Sequence, residues 1–337
     1  MNNSKRKKST VVMFFMMCLL MSLSLPFFLR SPQSTVQLVE MKQELASSYM
    51  NNQARSILSD VSGIESAKIL PFDFTVPEHA PNPDAFTYTQ DGKVYYSDST
   101  IEVSCWRERN IFDAQRHSDI CLADVKIKHA SQFRRQWANG DYNSKGYQFP
   151  SNIFSSTNGV VGMSADFYKH RKYGVIVQYG NVICDKRGRC SLDVLVIDYK
   201  GNFRVWNDTE LSEHIAKNGA DDIMLSFTFG PVLVQDGKLV EVAHYANQGL
   251  GELFFPQSRA GIGQLGELHY LLCVTTDPGA SVYRFAKYMQ EKGCKTVYNL
   301  DGGQTGTLLV DGKTYNRIAY YGVERAMSDI IYFASAE

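Results

Sequence analysis

An apolar run that ends in a carboxylate and two glycines is the feature of this sequence best suited to chemistry. Residues 296–300 are mostly apolar, and Asp301, Gly302 and Gly303 follow directly. A strand that stops there would carry a carboxylate to a sheet edge, and the glycines would expose backbone N–H groups to a bound ligand. Because side chains alternate along a strand, Asn299 and Asp301 should share one face. The pattern also fits an ordinary hairpin turn, since Asp-Gly is a common turn pair.

Three further segments combine a charged or turn-forming residue with an apolar run. Asp166 ends a second apolar run, with Arg171 shortly after it, and Arg259 lies among small residues. The pair Gly230 and Pro231 interrupts another strand-like run. Each segment alone has a structural explanation, such as a turn or an ion pair. Only the four segments taken together indicate a function.

The elements that must position these residues are predicted to be mostly strands, because short apolar or alternating runs are separated by turn residues. The predicted strands cover residues 86–89, 93–97, 101–106, 120–129, 160–163, 175–177, 192–198, 203–206, 269–275 and 296–300. Helices are predicted near residues 131–137, at 208–217 and at 281–292, where Ser281 serves as the N-cap. The pattern predicts an α+β fold, with a β-rich mixed sheet and a few packed helices, plus an N-terminal transmembrane helix and a short stalk.

A strand, a helix and a strand follow one another over residues 269–300, as in a crossover unit. If the two strands are parallel, Asp277 and Asp301 would lie at neighbouring strand ends. A calcium or magnesium site at Asp166, Asp277 and Asp301 is therefore an alternative interpretation, because carboxylate oxygens suit both ions. The regular spacing of a calcium loop is missing, and no cysteine or histidine pair has zinc-ligand spacing. We predict no metal and no cofactor.

The N-terminus carries a membrane-targeting pattern. Basic residues at positions 5–8 precede an uncharged apolar stretch at residues 11–29, close to the ~20 residues that cross a bilayer as a helix. Their charge predicts a cytoplasmic N-terminus and an extracytoplasmic main domain. A cleaved signal peptide is the alternative. We predict a basic tip and anchor in residues 1–30, a stalk or linker in residues 31–80, and one domain in residues 81–337.

Export would permit disulfides, and six cysteines lie outside the apolar stretch. Cys184 and Cys190 bracket a polar turn, so they could link the two strands of a hairpin. The other pairs suggested by proximity are Cys105–Cys121 and Cys273–Cys294. The alternative is buried free thiols, which are common in protein cores.

Charge and composition exclude some classes of function. The 35 basic residues balance the 35 acidic ones, and no basic stripe with interleaved aromatics is present, so nucleic acid is not an expected partner. The 19 tyrosines and 19 phenylalanines suit either a β-rich domain or a carbohydrate site with aromatic platforms. The seven histidines show no ligand spacing, and we interpret them as structural or surface residues.

In their order along residues 121–333, these motifs resemble the phosphodiester glycosidase family. The matching segments are residues 164–168 (Ser-Ala-Asp-Phe-Tyr), 227–231 (Phe-Thr-Phe-Gly-Pro), 257–263 (Gln-Ser-Arg-Ala-Gly-Ile-Gly), 299–305 (Asn-Leu-Asp-Gly-Gly-Gln-Thr) and 325–329 (Arg-Ala-Met-Ser-Asp). Some positions differ from the family pattern: Ala165 replaces a glycine, Ser258 replaces a proline, and Gln304 and Thr305 replace glycine and serine. These differences bear on substrate choice.

The resemblance implies a hydrolase that cleaves sugar-1-phosphodiesters at the anomeric bond, in cell-wall or exopolysaccharide metabolism. Asp166 and Asp301 would be the catalytic carboxylates, one as base or nucleophile and the other as orienter or acid. The residues expected to bind the substrate or its phosphate are Arg171, Arg259, Asn299, Gly302, Gly303, Thr305 and Arg325. The alternative function is a non-catalytic module that binds surface glycans or phosphate-bearing polymers.

Overall fold

The computed structural model describes residues 74–113, 118–166, 168–171, 173–186, 192–248 and 255–337, all within the compact unit Lys68–Glu337. Its largest sheet has nine strands, which in spatial order are β1 (Phe86–Tyr88), β2 (Val94–Ser97), β3 (Ile101–Asp113), β4 (Ser118–Ile127), β15 (His269–Thr275), β14 (Ala260–Gly266), β16 (Thr296–Leu300), β12 (Val232–Gln235) and β13 (Lys238–Leu239).

Two smaller sheets have five strands each. One contains, in spatial order, β10 (Phe203–Asn207), β9 (Asp193–Ile197), β11 (Leu225–Phe227), β7 (Gly174–Gln178) and β8 (Asn181–Lys186). The other contains β18 (Lys313–Thr314), β17 (Leu308–Val310), β6 (Gly159–Ser164), β19 (Asp329–Ala334) and β5 (Phe133–Trp137). Neighbouring strands in the described ranges pair antiparallel. The predicted β-rich α+β fold is therefore confirmed.

The helices of the described residues are α1 (Pro150–Ser155), α2 (Tyr168–Arg171), α3 (Asp208–Asn218), α4 (Val242–Asn247) and α5 (Val282–Glu291). The predicted helices at residues 208–217 and 281–292 are confirmed as α3 and α5. The side chain of Ser281 accepts a hydrogen bond from the Arg284 amide and caps α5, as the sequence indicates. Among these residues no helix has the length and apolar character that a membrane crossing requires. The predicted anchor lies outside the described residues.

Strand alternation divides the core between the two faces of the large sheet. Tyr298 and Leu300 of β16 point into a buried cluster shared by all three sheets, where the Phe133 ring packs 5.4 Å from that of Tyr270. Val297 points the other way, into a second buried cluster that includes Phe285 of α5. Asn299 and Asp301 therefore belong to the α5 face, as the period of two predicts.

The antiparallel arrangement brings distant segments to one sheet edge. Strand β14 pairs with both β15 and β16, so β14 begins at the edge where its two neighbours end. Strands β15 and β16 thus run in the same direction, as the crossover interpretation requires, but β14 lies between them. Asp277 and Asp301 consequently follow strands that are not adjacent.

One helix prediction is wrong. Residues 131–137 form a short 3-10 turn, Ala130–Gln132, followed by strand β5. The Gln132 side chain accepts hydrogen bonds from the amides of Lys128 and His129, which closes the turn. The alternating burial of β5, with Phe133 and Arg135 inward, then fits the neighbouring strand β19.

Two predicted disulfides are also wrong. Cys105 lies opposite Ala123 in the register of β3 and β4, so Cys121 is its diagonal neighbour, and both thiols are free and buried in the shared core. A diagonal pair lies beyond the usual Cα separation of a disulfide. Cys273 and Cys294 are also free. Cys184 is a free thiol, and its predicted partner Cys190 lies outside the described residues.

Candidate active site

The loop that follows β16 is fixed by hydrogen bonds to two other segments. The Asp301 amide donates to the Ala165 carbonyl at 3.0 Å, and the Ser164 hydroxyl donates to the Asp301 carbonyl at 2.8 Å. The Gly303 amide donates to the Ser258 carbonyl at 2.8 Å. The loop therefore joins the end of β6 to the start of β14, and Asp301 is held at that junction.

Gly302 is required by this close approach. A Cβ at Gly302 would lie 2.6 Å from the Ser258 carbonyl oxygen and 3.2 Å from the Ala260 nitrogen, both backbone atoms. Gly303 has φ of 59°, in the left-handed region that glycine adopts without strain. The Thr305 amide and hydroxyl both turn back to the Gly302 carbonyl. Thr305 is buried, so its hydroxyl shapes the loop.

Arg259 lies beside Asp301, at the adjoining ends of the neighbouring strands β14 and β16. Ala260 pairs with Leu300, and one further step of that register brings Arg259 level with Asp301 on the α5 face. The guanidinium Nε donates to the Ala280 carbonyl at 3.0 Å, and Nη2 donates to the Phe255 carbonyl at 2.6 Å. These two hydrogen bonds to backbone carbonyls fix the position of the guanidinium. Arg259 thus places a buried guanidinium beside the Asp301 loop.

Asn299 connects the same strand to the Gly230 turn. Its Nδ2 donates to the Gly230 carbonyl at 2.9 Å, and its amide donates to the Pro231 carbonyl at 3.1 Å. Its Oδ1 is buried and has no hydrogen-bond partner among the described residues. A buried amide oxygen without a donor is costly, and a ligand hydroxyl or a water would satisfy it.

Asp166 lies behind the Asp301 loop in a fully enclosed charge cluster. Its Oδ2 accepts from the Thr228 amide at 2.8 Å and lies 3.7 Å from Arg135 Nη2. Arg135 Nε also lies 2.9 Å from Asp329 Oδ2, and Asp329 Oδ1 accepts from the Asp166 amide at 3.2 Å. The side chain of Asp166 has no solvent exposure, whereas Gly302 at the loop is half-buried.

The enclosed cluster contains two carboxylates and one guanidinium. The Arg135 guanidinium stacks 3.8 Å from the Phe227 ring and 4.6 Å from the Trp137 ring, and makes no hydrogen bond to a described residue. Burial raises the pKa of Asp329 to about 7, with a further contribution from the Asp166 charge and an opposing one from Arg135. Neither Arg135 nor Asp329 was among the predicted site residues.

Three further predicted residues do not line the buried part of the site: two are exposed, and the side chain of the third lies outside the described residues. Arg325 is exposed; burial lowers the pKa of His170, and the Arg325 charge lowers it further. Arg171 ends α2, and its side chain lies outside the described part of the structure. Asp277 is exposed, in contrast to Asp166. Within the described ranges, no group of three or more His, Cys, Asp or Glu residues could hold a metal ion.

A histidine near the Gly230 turn was not singled out by its sequence context. His244 Nε2 lies 2.7 Å from Asp193 Oδ2, which also accepts from the Val232 amide at 2.8 Å. A Cβ at Gly230 would lie 3.4 Å from the Asp193 carbonyl oxygen. Only spatial proximity could reveal this pair, because the two residues are separated by about fifty positions.

Comparison with known proteins decides the family. Residues 156–334, more than half of the chain, match the phosphodiester glycosidase family. The chain belongs to this family. The matched residues contain Asp166, Arg259, Asn299 and the Asp301 loop, so the phosphodiester glycosidase domain includes the site described above.

A solved phosphodiester glycosidase has a similar fold. The catalytic domain of zebrafish N-acetylglucosamine-1-phosphodiester alpha-N-acetylglucosaminidase, auto-inhibited by its pro-peptide, is 12% identical, with a TM-score of 0.57 over 77% of this chain and 87% of that one. A protein from Synechocystis is 15% identical, with a TM-score of 0.47 over 70% of this chain and 62% of that one. No curated protein matches the chain.

Proposed function

We propose that this phosphodiester glycosidase hydrolyses a sugar-1-phosphodiester at the anomeric carbon–oxygen bond. The observation that carries the proposal is the cross-strand position of Asp301 and Arg259 beside the Gly302 loop. Cleavage of this bond develops positive charge on the sugar ring and negative charge on the departing phosphate. A carboxylate stabilises the first charge, and a guanidinium with backbone N–H groups stabilises the second.

In the proposed reaction, Asp301 faces the anomeric carbon. The anomeric carbon–oxygen bond breaks, and its electron pair stays on the phosphate oxygen. Water adds to the anomeric carbon and loses a proton, so the products are a free sugar and a phosphomonoester. A phosphomonoester is a good leaving group, and the site therefore needs no strong general acid.

The phosphate would lie toward Arg259. The carbonyl oxygens of Ala280 and Phe255 accept from its guanidinium and hold it beside the loop. The amides of Gly303 and Thr305 donate within the protein, whereas those of Gly302 and Gln304 make no hydrogen bond to the described residues and could donate to the phosphate. Guanidinium and amide donors together match the oxygens of a phosphodiester.

Asp166 would act as the orienting carboxylate. Its Oδ2 accepts a hydrogen bond from the Thr228 amide. Thr228 precedes Gly230, whose carbonyl accepts a hydrogen bond from the Asn299 side chain. The Oδ1 of Asn299, which has no hydrogen-bond partner among the described residues, is the acceptor we propose for a sugar hydroxyl. Thr305 would keep the loop in shape, and the exposed Arg325 would add positive charge near it.

The test uses the site of bond cleavage. N-acetylglucosamine-1-phosphate methyl diester and the corresponding glucose and galactose diesters are incubated with the enzyme in ¹⁸O-labelled water. We expect free sugar that carries the label, and unlabelled methyl phosphate. Label in the phosphate would show cleavage at phosphorus, and no hydrolysis of any of the three diesters would contradict the proposal.

We also propose an extracytoplasmic location, with residues 11–29 as the anchor and a role in cell-wall or exopolysaccharide metabolism. The support is the basic tip followed by an apolar stretch of membrane-spanning length. External protease added to intact cells or spheroplasts should digest the domain and leave a short membrane-bound fragment. Full protection, or recovery of the domain without membranes, would contradict the anchored arrangement.

A further inference from the structure

Two exposed tyrosines stand beside the Asp301 loop. Tyr320 is 56% exposed and Tyr321 is 82% exposed, and Val323, two positions on, is 58% exposed. Single exposed apolar residues are ordinary, but a contiguous group next to a site indicates binding. We call residues 320, 321 and 323 the tyrosine turn.

The tyrosine turn contacts the glycine loop directly. A Cβ at Gly303 would lie 4.0 Å from Tyr320 Cε2, so the ring borders the loop backbone. Gln304 Nε2 lies 3.4 Å from the Val323 carbonyl oxygen and donates to it. The Tyr321 amide donates to the Ala319 carbonyl at 2.9 Å, which tightens the turn. The Tyr320 ring therefore borders the loop at Gly303, and the exposed Tyr321 follows it directly in the chain.

The backbone of Tyr320 is held in an unfavourable conformation. Its φ is 63°, in the left-handed region that a bulky side chain rarely adopts. Such strain concentrates at ligand-binding sites, where a surface residue is kept for its function despite the cost. A glycine or asparagine would fold more easily at this position, and the strain at an exposed tyrosine beside the loop supports a functional role for its ring.

We propose that Tyr320 and Tyr321 form a stacking subsite for a pyranose ring of the substrate. This inference rests on the proposed function, because it assigns the sugar to the outer side of the Asp301 loop and the phosphate to the Arg259 side. The apolar face of a sugar packs against an aromatic ring, while its hydroxyls remain available to Asn299 and to water. The subsite contributes to binding and not to bond cleavage.

Tyr320→Gly gives a test that separates folding from binding. Glycine accepts the φ of 63° without strain, so the variant should be at least as stable as the wild type in urea unfolding. The ring is lost, so KM for the diester that the wild type cleaves should rise about fivefold with nearly unchanged kcat. Tyr320→Phe keeps the ring and should keep KM, and Tyr321→Ala should raise it.

Tyr95→Ala is the matched control, since Tyr95 is 38% exposed on β2, several strands away from β16. Calorimetric titration with free N-acetylglucosamine, glucose and galactose measures sugar binding without catalysis. If no diester is hydrolysed but sugar affinity falls in Tyr320→Gly and Tyr321→Ala, the proposed function fails and the subsite stands.

If hydrolysis occurs but both variants keep the wild-type KM and sugar affinity, the subsite is wrong and the proposed function stands. The subsite is also wrong if the wild type binds none of the three sugars. A change in self-association by analytical ultracentrifugation, with sugar affinity unchanged, would instead make the tyrosine turn a contact between copies of this chain.

Discussion

Arg135 Nε lies 2.9 Å from Asp329 Oδ2, and both side chains are completely enclosed. Asp166, the second carboxylate of this cluster, is 3.7 Å from the same guanidinium. One buried cation between two buried acids leaves an excess negative charge when both are ionised. The cluster therefore favours a proton on one carboxyl group, and Asp329 is the group whose pKa is raised.

The first prediction concerns pH. The pKa of Asp329 rises from 3.8 to about 7 in the folded chain because burial disfavours its ionised form. Between about pH 4 and pH 7 the unfolded chain loses this proton while the folded chain keeps it. The free energy of unfolding should fall as pH rises through this window and then level off. Urea unfolding should show a weaker pH dependence in Asp329→Asn, and equal dependence would contradict the assignment.

Asp301→Asn should lower kcat about a hundredfold, because it removes the charge proposed to face the sugar. The change keeps the shape of the side chain, so urea unfolding should be little altered. Asp277→Asn is the control, since Asp277 is an exposed carboxylate that follows β15, a strand not adjacent to β16. Full activity in Asp301→Asn would exclude the proposed catalytic role.

Arg259→Ala should lower kcat/KM about a hundredfold, because the phosphate loses its guanidinium. It should also weaken the fold, since the carbonyls of Ala280 and Phe255 lose their donors. Arg284→Ala, at an exposed position of α5, controls for loss of one positive charge. The two variants are compared by steady-state kinetics at a temperature where both are folded. Equal kcat/KM values would refute the proposed role of Arg259 in binding the phosphate.

Gly302→Ala should destabilise the protein by about 2 kcal/mol and reduce activity, because the new methyl would meet the Ser258 and Ala260 backbone. Gly266→Ala is the matched control, since a Cβ there meets nothing within 4 Å. Thermal unfolding and kcat measured on both variants decide the matter. A Gly302→Ala protein as stable and active as Gly266→Ala would mean that the loop relaxes freely.

Asp166→Ala should cost about 3 kcal/mol of stability, because Arg135 and the Thr228 amide lose a buried partner. A large loss of stability is expected for a buried orienting residue, whereas Asp301→Asn should change the free energy of unfolding little. Asp84→Ala, in a surface turn, provides the baseline for removing one carboxylate. Urea unfolding that is unchanged in Asp166→Ala would contradict the enclosed charge cluster.

The sequence predicted those parts of the site that depend on local periodicity. Alternation along β16 correctly separated Asn299 and Asp301 from Tyr298 and Leu300, since a strand has a fixed period of two. Ser281 and the apolar spacing after it predicted α5 because caps and helical faces are local signals.

The contacts of Arg135 could not be predicted in this way. Its partners Asp166 and Asp329 are separated from it by long stretches of chain, and the pairing of β19 with both β5 and β6 brings them together. The same pairing explains the wrong helix at residues 131–137, because tertiary packing overrides a weak local preference. Long-range register was the missing information.

The thiols of Cys105, Cys121, Cys273 and Cys294 are sealed inside the two apolar clusters. Burial raises the pKa of Cys294 to about 12 and also raises the pKa values of the other three, so none forms a reactive thiolate in the closed domain. These thiols can react only when the domain opens. The rate of alkylation at these four positions would therefore measure how often the sheets separate, without any engineered residue.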